Sequence, residues 1–278
     1  MTVYFSDADI DRLIAEDAPY GDVTTRALGI GGHKGRMTFV ARHPLVLSGA
    51  AIAARMVERL GGRVLSVAAD GGGMDAESLV LSADGAAASL HMAWKVAQTV
   101  VDWSSGIATA TASIVTAAQS VSPHVRIAVA RKAPPGTRKL AVAAVHDGGA
   151  EMHRCGLSET VLIFPEHRVF MGDNPIADAV AAARTQAPER MIVVEVTSPG
   201  DAISAAAAGA QVVQLEKLTP DEVRSVAGSI HGKCLIAAAG GIRADNAAQY
   251  AAAGADILVT SAPYAAVPAE IKVMITHS

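Results

Sequence analysis

The sequence predicts an α/β protein, with repeated βα units on a parallel sheet or barrel in its C-terminal part and an α+β layer before them. Three observations predict it. From Val125 onward six short apolar runs recur with helical segments between them: VRIAVA, TVLIF, MIVVEV, QVVQLE, CLIAAA and DILVTS. Strands buried on both faces read this way when βα units repeat on a parallel sheet. Before Val125 the strand-like runs crowd around glycine turns with only a few helices, the texture of an antiparallel layer packed on helices. Finally, 278 residues with 51% hydrophobic content suffice for a barrel and an accessory domain. The expected boundaries are 1–105 for the α+β layer, joined by 263–278, and 106–262 for the βα units.

Taken in order, Ser6 to Glu16 places Ile10, Leu13 and Ile14 at helical spacing behind Ser6, an N-cap residue type. The segment EDAPYGDVTT (16–25) mixes acids, Pro, Gly and Thr and predicts a loop. RMTFVARHPLVLSG alternates as a strand or hairpin, and Ala50 to Leu60 forms a helix closed by Gly61-Gly62. RVLSVAA and SLVLSAD are strands on either side of the Gly71-Gly72-Gly73 turn. Ala86 to Val101 is a helix leading into SSGIATATASIVTAAQSV, with Lys95 snorkelling from its face.

The stretch from Val125 to Arg154 concentrates cations. Its strand ends at Arg131 and Lys132, Pro134-Pro135-Gly136 turns the chain, and a helical segment from Leu140 to Val145 closes at Gly148-Gly149 before His153 and Arg154. Arg131, Lys132, Arg138, His153 and Arg154 are therefore offered to one pocket. Arg forks pair bidentately with carboxylate or phosphate, so the pocket suits a multiply anionic ligand.

Parallel βα units place chemistry at the C-terminal strand ends. Those ends carry Phe164 to His167, Glu195, Glu216 and Lys217, Gly240-Gly241, and Thr260-Ser261. Carboxylates behind apolar runs need partners, so Glu195 and Glu216 read as partners for Lys132, as oxygen ligands for Mg²⁺, or as members of a structural salt bridge. Gly240-Gly241, ahead of a helix expected near Ala244, reads either as a phosphate cradle or as a tight turn.

Other classes are disfavoured. A net charge of −4 and 4% aromatic residues argue against a nucleic-acid surface. Cys155 and Cys234 lack metal-ligand or disulfide-framework spacing. The acidic N-terminus and the lack of a long uninterrupted apolar run predict a soluble, cytoplasmic protein without membrane contact.

These motifs resemble the quinolinate phosphoribosyltransferase family (nicotinate-nucleotide pyrophosphorylase, carboxylating), and more closely its ModD branch, associated with molybdenum-transport operons. The resemblance rests on EDAPYGDVTT, SSGIATAT, ARKAPPGTRKLAVAAVHDGGAEMHRCGL, VVEV, VVQLEK, AAAGGI and AGADIL, in that order along the chain. It implies a C-terminal α/β barrel with an N-terminal α+β sandwich domain, a homodimer whose sites are completed by the neighbouring subunit, and small-molecule substrates: a pyridine dicarboxylate and phosphoribosyl pyrophosphate bound with Mg²⁺. Carried over, Arg131, His153 and Arg154 face the acid, and Lys132 lies between acid and sugar. Glu195 and Glu216 serve the ribose and Mg²⁺, while Gly240, Gly241 and the strand-end Ser261 serve phosphate. Lys95 falls where the family has an Arg that reaches across the dimer.

The chain also departs from that pattern. Phe164 stands where the family has Lys, Glu216 for Asp, Lys217 for Asn, and Ala237, Ala239, Ser261 and Ala265 replace polar residues or glycine. The implied acceptor is therefore quinolinate or a related N-heterocyclic acid. A non-catalytic anion-binding or regulatory protein linked to molybdate transport is the alternative.

Overall fold

A computed structural model describes residues 3–277. In chain order its elements are α1 (Asp7–Asp17), α2 (Val23–Ala27), β1 (Lys34–Ala41), β2 (Leu45–Val46), α3 (Ala50–Arg59), β3 (Arg63–Val67), β4 (Gly73–Met74), β5 (Leu79–Ala86) and α4 (Ala87–Gln119). There follow β6 (Arg126–Val129), α5 (Arg138–Asp147), β7 (Glu151–Met152), β8 (Val161–Ile163), α6 (Pro165–Arg168), α7 (Pro175–Gln186), β9 (Ile192–Val196) and α8 (Pro199–Ala207). The chain closes with β10 (Val212–Glu216), α9 (Pro220–Ile230), β11 (Leu235–Ala239), α10 (Ala247–Ala252), β12 (Ile257–Thr260) and β13 (Ile271–His277). Two compact units result. The first holds residues up to 112, 133–149 and 265 onward; the second holds 113–132 and 150–264.

In the first unit an antiparallel sheet runs in the order β13-β1-β5-β3. Alternation along β1 buries Met37, Phe39 and Ala41 on one face and leaves Lys34 and Arg36 in water. That apolar row meets Ile10, Leu13 and Ile14 of α1, Met56 and Val57 of α3, and Leu90, Ala93 and Ala97 of α4. Each fully buried large side chain contributes roughly 1.5–3 kcal/mol. The expected N-cap is present as a capping box: Ser6 Oγ accepts from the Asp9 N–H, and Asp9 Oδ2 accepts from the Ser6 N–H at 2.8 Å.

Three expectations change here. EDAPYGDVTT is not all loop, because Asp22 Oδ1 accepts from the Thr25 N–H at 3.1 Å and caps the short helix α2. The helix from Ala87 runs unbroken to Gln119. It passes through Gly106 because an added Cβ there would lie 2.6 Å from the Val267 carbonyl oxygen, so close backbone contact requires the glycine. Residues 133–149, expected in the barrel, belong to the first unit. Leu140 of α5 joins that unit's core, and Lys139 Nζ sits 2.7 Å from Asp9 Oδ2.

The second unit is a seven-stranded sheet in the order β7-β6-β12-β11-β10-β9-β8, with every pairing parallel. All six expected strands are in it. The sheet curls into a half-barrel whose end strands, β7 and β8, do not pair. Its interior floor is small and apolar: Ala128, Leu162, Val193, Val212, Ala237, Ala239 and Val259. The intervening helices are punctuated locally. Ser198 Oγ accepts from the Asp201 N–H at 3.1 Å to start α8 at Pro199, and Gly209, at φ 90°, follows its end. Among the described residues no helix is long and apolar enough to cross a membrane.

Candidate active site

At the C-terminal ends of the second unit's strands lies a cavity of about 580 Å³. Parallel strands deliver their first polar residues there, one from each end. Arg131 and Lys132 follow β6, His153 and Arg154 follow β7, Phe164 and Glu166 follow β8, and Gly240-Gly241 and Ser261 follow β11 and β12. Glu195 and Glu216 project from β9 and β10 themselves. These eleven residues, all named above from the sequence, thus line one cavity. Lys95 and Arg138 do not. Arg138 opens α5 in the first unit, and Lys95 Nζ lies 4.4 Å from the Trp94 ring centroid in that same unit. Lys95 lines a different cavity, of about 440 Å³, with Asp22, Thr25 and His91.

One end of the site is cationic and underpaired. Arg154 is only 8% exposed, yet no carboxylate lies within 4 Å of it among the described residues. Its nearest recorded company is the Phe164 ring, 5.7 Å from the guanidinium carbon. Burial first, and the like charge of Arg131 second, push the Arg154 pKa down, against a smaller opposing attraction from Glu159. His153 differs from expectation. Burial and then Arg154 push its pKa below the usual histidine value, so at neutral pH it is an uncharged hydrogen-bonding ring beside the guanidinium.

The other end is acidic. Burial, followed by repulsion from Glu216, raises the Glu195 pKa, Glu166 adds to this, and a Gln214 hydrogen bond and the Lys132 charge oppose it. Gln214 Nε2 donates to Glu195 Oε2 at 2.6 Å, whereas Gln214 Oε1 is buried without a partner. An unpaired buried carbonyl costs about 1–3 kcal/mol. Lys132 is the lining cation whose charge acts on Glu195.

Gly240 and Gly241 adopt φ values of 88° and 84°. At Gly240 an added Cβ would lie 2.8 Å from the Lys217 backbone nitrogen and 3.0 Å from Glu216 Oε1; at Gly241 it would meet nothing within 4 Å. The helix expected near Ala244 starts instead at Ala247, after a turn in which Asn246 Nδ2 donates to the Gly241 carbonyl at 3.0 Å. The glycines therefore form a turn ahead of the helix, in which the Arg243 N–H donates to Asn246 Oδ1 at 2.8 Å. Lys217 itself has φ 60°, a left-handed conformation rare for a residue with a side chain.

Four lining residues were not singled out by sequence: Ala130, Leu162, Gln214 and Val259. Gln214 had a signal in strand periodicity, since it is two residues before Glu216 and therefore shares its face. Reading the strands as uniform apolar runs hid that alternation.

The profile of the quinolinate phosphoribosyl transferase N-terminal domain matches residues 22–105, and that of the C-terminal domain matches residues 107–273. Among related proteins, the ModD protein of Rhodobacter capsulatus is 42% identical over 87% of this chain and 94% of its own length. The nicotinate-nucleotide pyrophosphorylase (carboxylating) of Mycobacterium leprae is 32% identical over 91% of this chain and 90% of its own. In fold, the crystal structure of NadC from Streptococcus pyogenes superposes with a TM-score of 0.91 at 24% identity, covering 100% of both chains.

Proposed function

The chain belongs to the quinolinate phosphoribosyl transferase family, whose members are pentosyltransferases, and on that premise we propose a specific reaction for the half-barrel cavity. It transfers phosphoribosyl from phosphoribosyl pyrophosphate to the ring nitrogen of an N-heterocyclic acid, quinolinate or a relative. The observation that carries the reading is the buried Arg154, unpaired beside Arg131, across the same cavity from the Glu195–Glu216 pair. A carboxylate ligand relieves the first, and a positive sugar centre relieves the second.

In this reading the acid's carboxylate lies on Arg131 and Arg154, with neutral His153 donating or accepting a hydrogen bond. Lys132 holds the junction between acid and sugar. As the ring nitrogen bonds to the anomeric carbon, the carbon–oxygen bond to pyrophosphate breaks and the sugar passes through an oxocarbenium-like state. Glu195 and Glu216 face that charge, and catalysis is positioning and electrostatics without a protein nucleophile. Mg²⁺ fits the donor set: two carboxylates suit a hard cation that completes its shell with ligand phosphates and water. Among the described residues no group of three or more His, Cys, Asp or Glu side chains could hold a metal ion; in this reading Glu195 and Glu216 would hold Mg²⁺ together with the phosphates of the substrate. Mg²⁺ supplies charge neutralisation for the leaving pyrophosphate.

The test is pyrophosphate release from phosphoribosyl pyrophosphate and Mg²⁺ with a panel of pyridine mono- and dicarboxylic acids. Release that disappears in Lys132→Met is expected. No release with any acid, together with no calorimetric binding of phosphoribosyl pyrophosphate, sinks the reading; binding of an acid without release supports the non-catalytic alternative. The proposal includes a homodimer in which Lys95 serves the neighbouring site. Mixing Lys95→Ala with Lys132→Met protomers then restores part of the activity that each lacks alone, and no restoration removes that element.

A further inference from the structure

We propose that Gln214 is a positioning residue, holding the Glu195 carboxylate in the orientation in which it meets a bound ligand. The inference deepens the functional reading above and rests on it for the ligand, although the geometry stands by itself. Residues Val212, Gln214 and Glu216 of β10 share the interior face of the half-barrel. In the parallel register Gln214 lies directly beside Glu195 of β9 on one side and Ala237 of β11 on the other. The apolar side chains of that floor are Val193, Val212, Ala237, Ala239, Val259 and Leu162. One amide, 4% exposed, is set among them beside Glu195.

The orientation of that amide is not arbitrary. With Glu195 ionised, turning it over would place two unprotonated oxygens 2.6 Å apart, so the nitrogen faces Glu195 and the carbonyl is left buried without a partner. A Met or Leu at this position would fill similar space and leave no buried carbonyl unpaired. The fold therefore does not account for the amide, whereas Glu195 does. Among the described residues Gln214 makes the one recorded hydrogen bond to the Glu195 carboxylate, since Arg168 donates to the Glu195 backbone carbonyl instead, at 3.3 Å. The other charged groups facing Glu195 are Glu216 from β10, Glu166 from α6 and Lys132 after β6; two of the three repel it. Without the amide nothing pins the carboxylate against those repulsions.

Two comparisons test this. Crystal structures of the wild-type protein and Gln214→Met, both without ligand, read the carboxylate position directly. The expected result is a Glu195 carboxylate that leaves its wild-type place, while a carboxylate that stays overturns the proposal whether or not any substrate has been found. The second is a swap, Glu195→Gln with Gln214→Glu, which keeps an amide-to-carboxylate hydrogen bond but moves the charge from β9 to the more buried position on β10. If the pair served stability alone, the swap would recover both thermal midpoint and function. Positioning predicts recovery of the midpoint only, with kcat for phosphoribosyl transfer still lowered about tenfold or more, as for Gln214→Met, and KM for the acid little changed. A displaced carboxylate with wild-type kcat and wild-type calorimetric affinity for phosphoribosyl pyrophosphate also overturns it. If wild-type protein neither binds nor turns over phosphoribosyl pyrophosphate, the functional reading fails, and the crystal comparison alone decides the role of Gln214.

Discussion

The surface of the first unit and the cavity of the second treat charge in opposite ways. In the first, cations and anions meet in pairs at the surface: Arg36 with Asp84 at 2.8 Å, Arg59 with Asp11 at 2.7 Å, and Lys139 with Asp9 at 2.7 Å. In the second, the cavity gathers Arg131, Lys132, Arg154, Glu166, Glu195 and Glu216, and none of them forms an ion pair within 4 Å among the described residues. Paired surface charges are satisfied by each other and by water, so they ask nothing of a ligand. Separated charges in a half-buried cavity remain unsatisfied until something of complementary charge arrives. The contrast distinguishes charges that decorate a fold from charges that await chemistry.

The largest expected effect breaks the second half of this comparison. Arg154→Met lowers phosphoribosyl transfer by about 100-fold or more, since a charge-assisted contact is lost, yet raises stability by about 1–2 kcal/mol by removing an unpaired buried charge. Steady-state kinetics and thermal melts on one preparation check both signs, and a loss of activity accompanied by a loss of stability would mean Arg154 is structural. Next comes the turn beneath Glu216. Gly240→Ala forces a Cβ onto the Lys217 backbone nitrogen and costs about 2 kcal/mol, while Gly241→Ala, which meets only conformational strain, costs about 1 kcal/mol. Equal denaturation midpoints for the two variants would contradict the close packing at Gly240.

A smaller effect probes an exception in the first unit. Asp102, half-buried in α4, accepts from the Ile271 N–H at 2.9 Å, and burial pushes its pKa up from 3.8 to about 6. The folded state therefore binds the proton more tightly than the unfolded chain. That contribution is complete below about pH 3.8 and is lost as pH rises through about 6. Asp102→Asn is expected to flatten the decline of the thermal midpoint across this window and to raise it at pH 7; an unchanged slope would show that the carboxyl is not buried as described. Smallest of all, removing Arg36 or Asp84 leaves activity untouched and stability nearly so, with any difference fading at high salt.

Much of this was legible beforehand, and particular residues show why. The six strands of the half-barrel announce themselves because each is buried on both faces, and the first charged or glycine residue after each run marks the end where the cavity lies. Arg131, Lys132, Glu195 and Glu216 could be read off in that way. Arg138 could not be excluded: it lies only six residues beyond Lys132, but the apolar side of α5 binds it to the other unit. The neutrality of His153 was equally hidden, because burial and an adjacent guanidinium, not neighbouring sequence letters alone, set its protonation.

What the amino-acid order determined by itself is the succession of strands and helices and the cast of polar residues at the strand ends, since hydrophobic periodicity and capping act over a few residues. What only the tertiary structure decided is which of those residues remain unpaired, which end is acidic and which cationic, and that Gln214 grips Glu195. Those facts depend on distances between side chains from separate strands and on their exclusion from water, and a local pattern contains neither quantity.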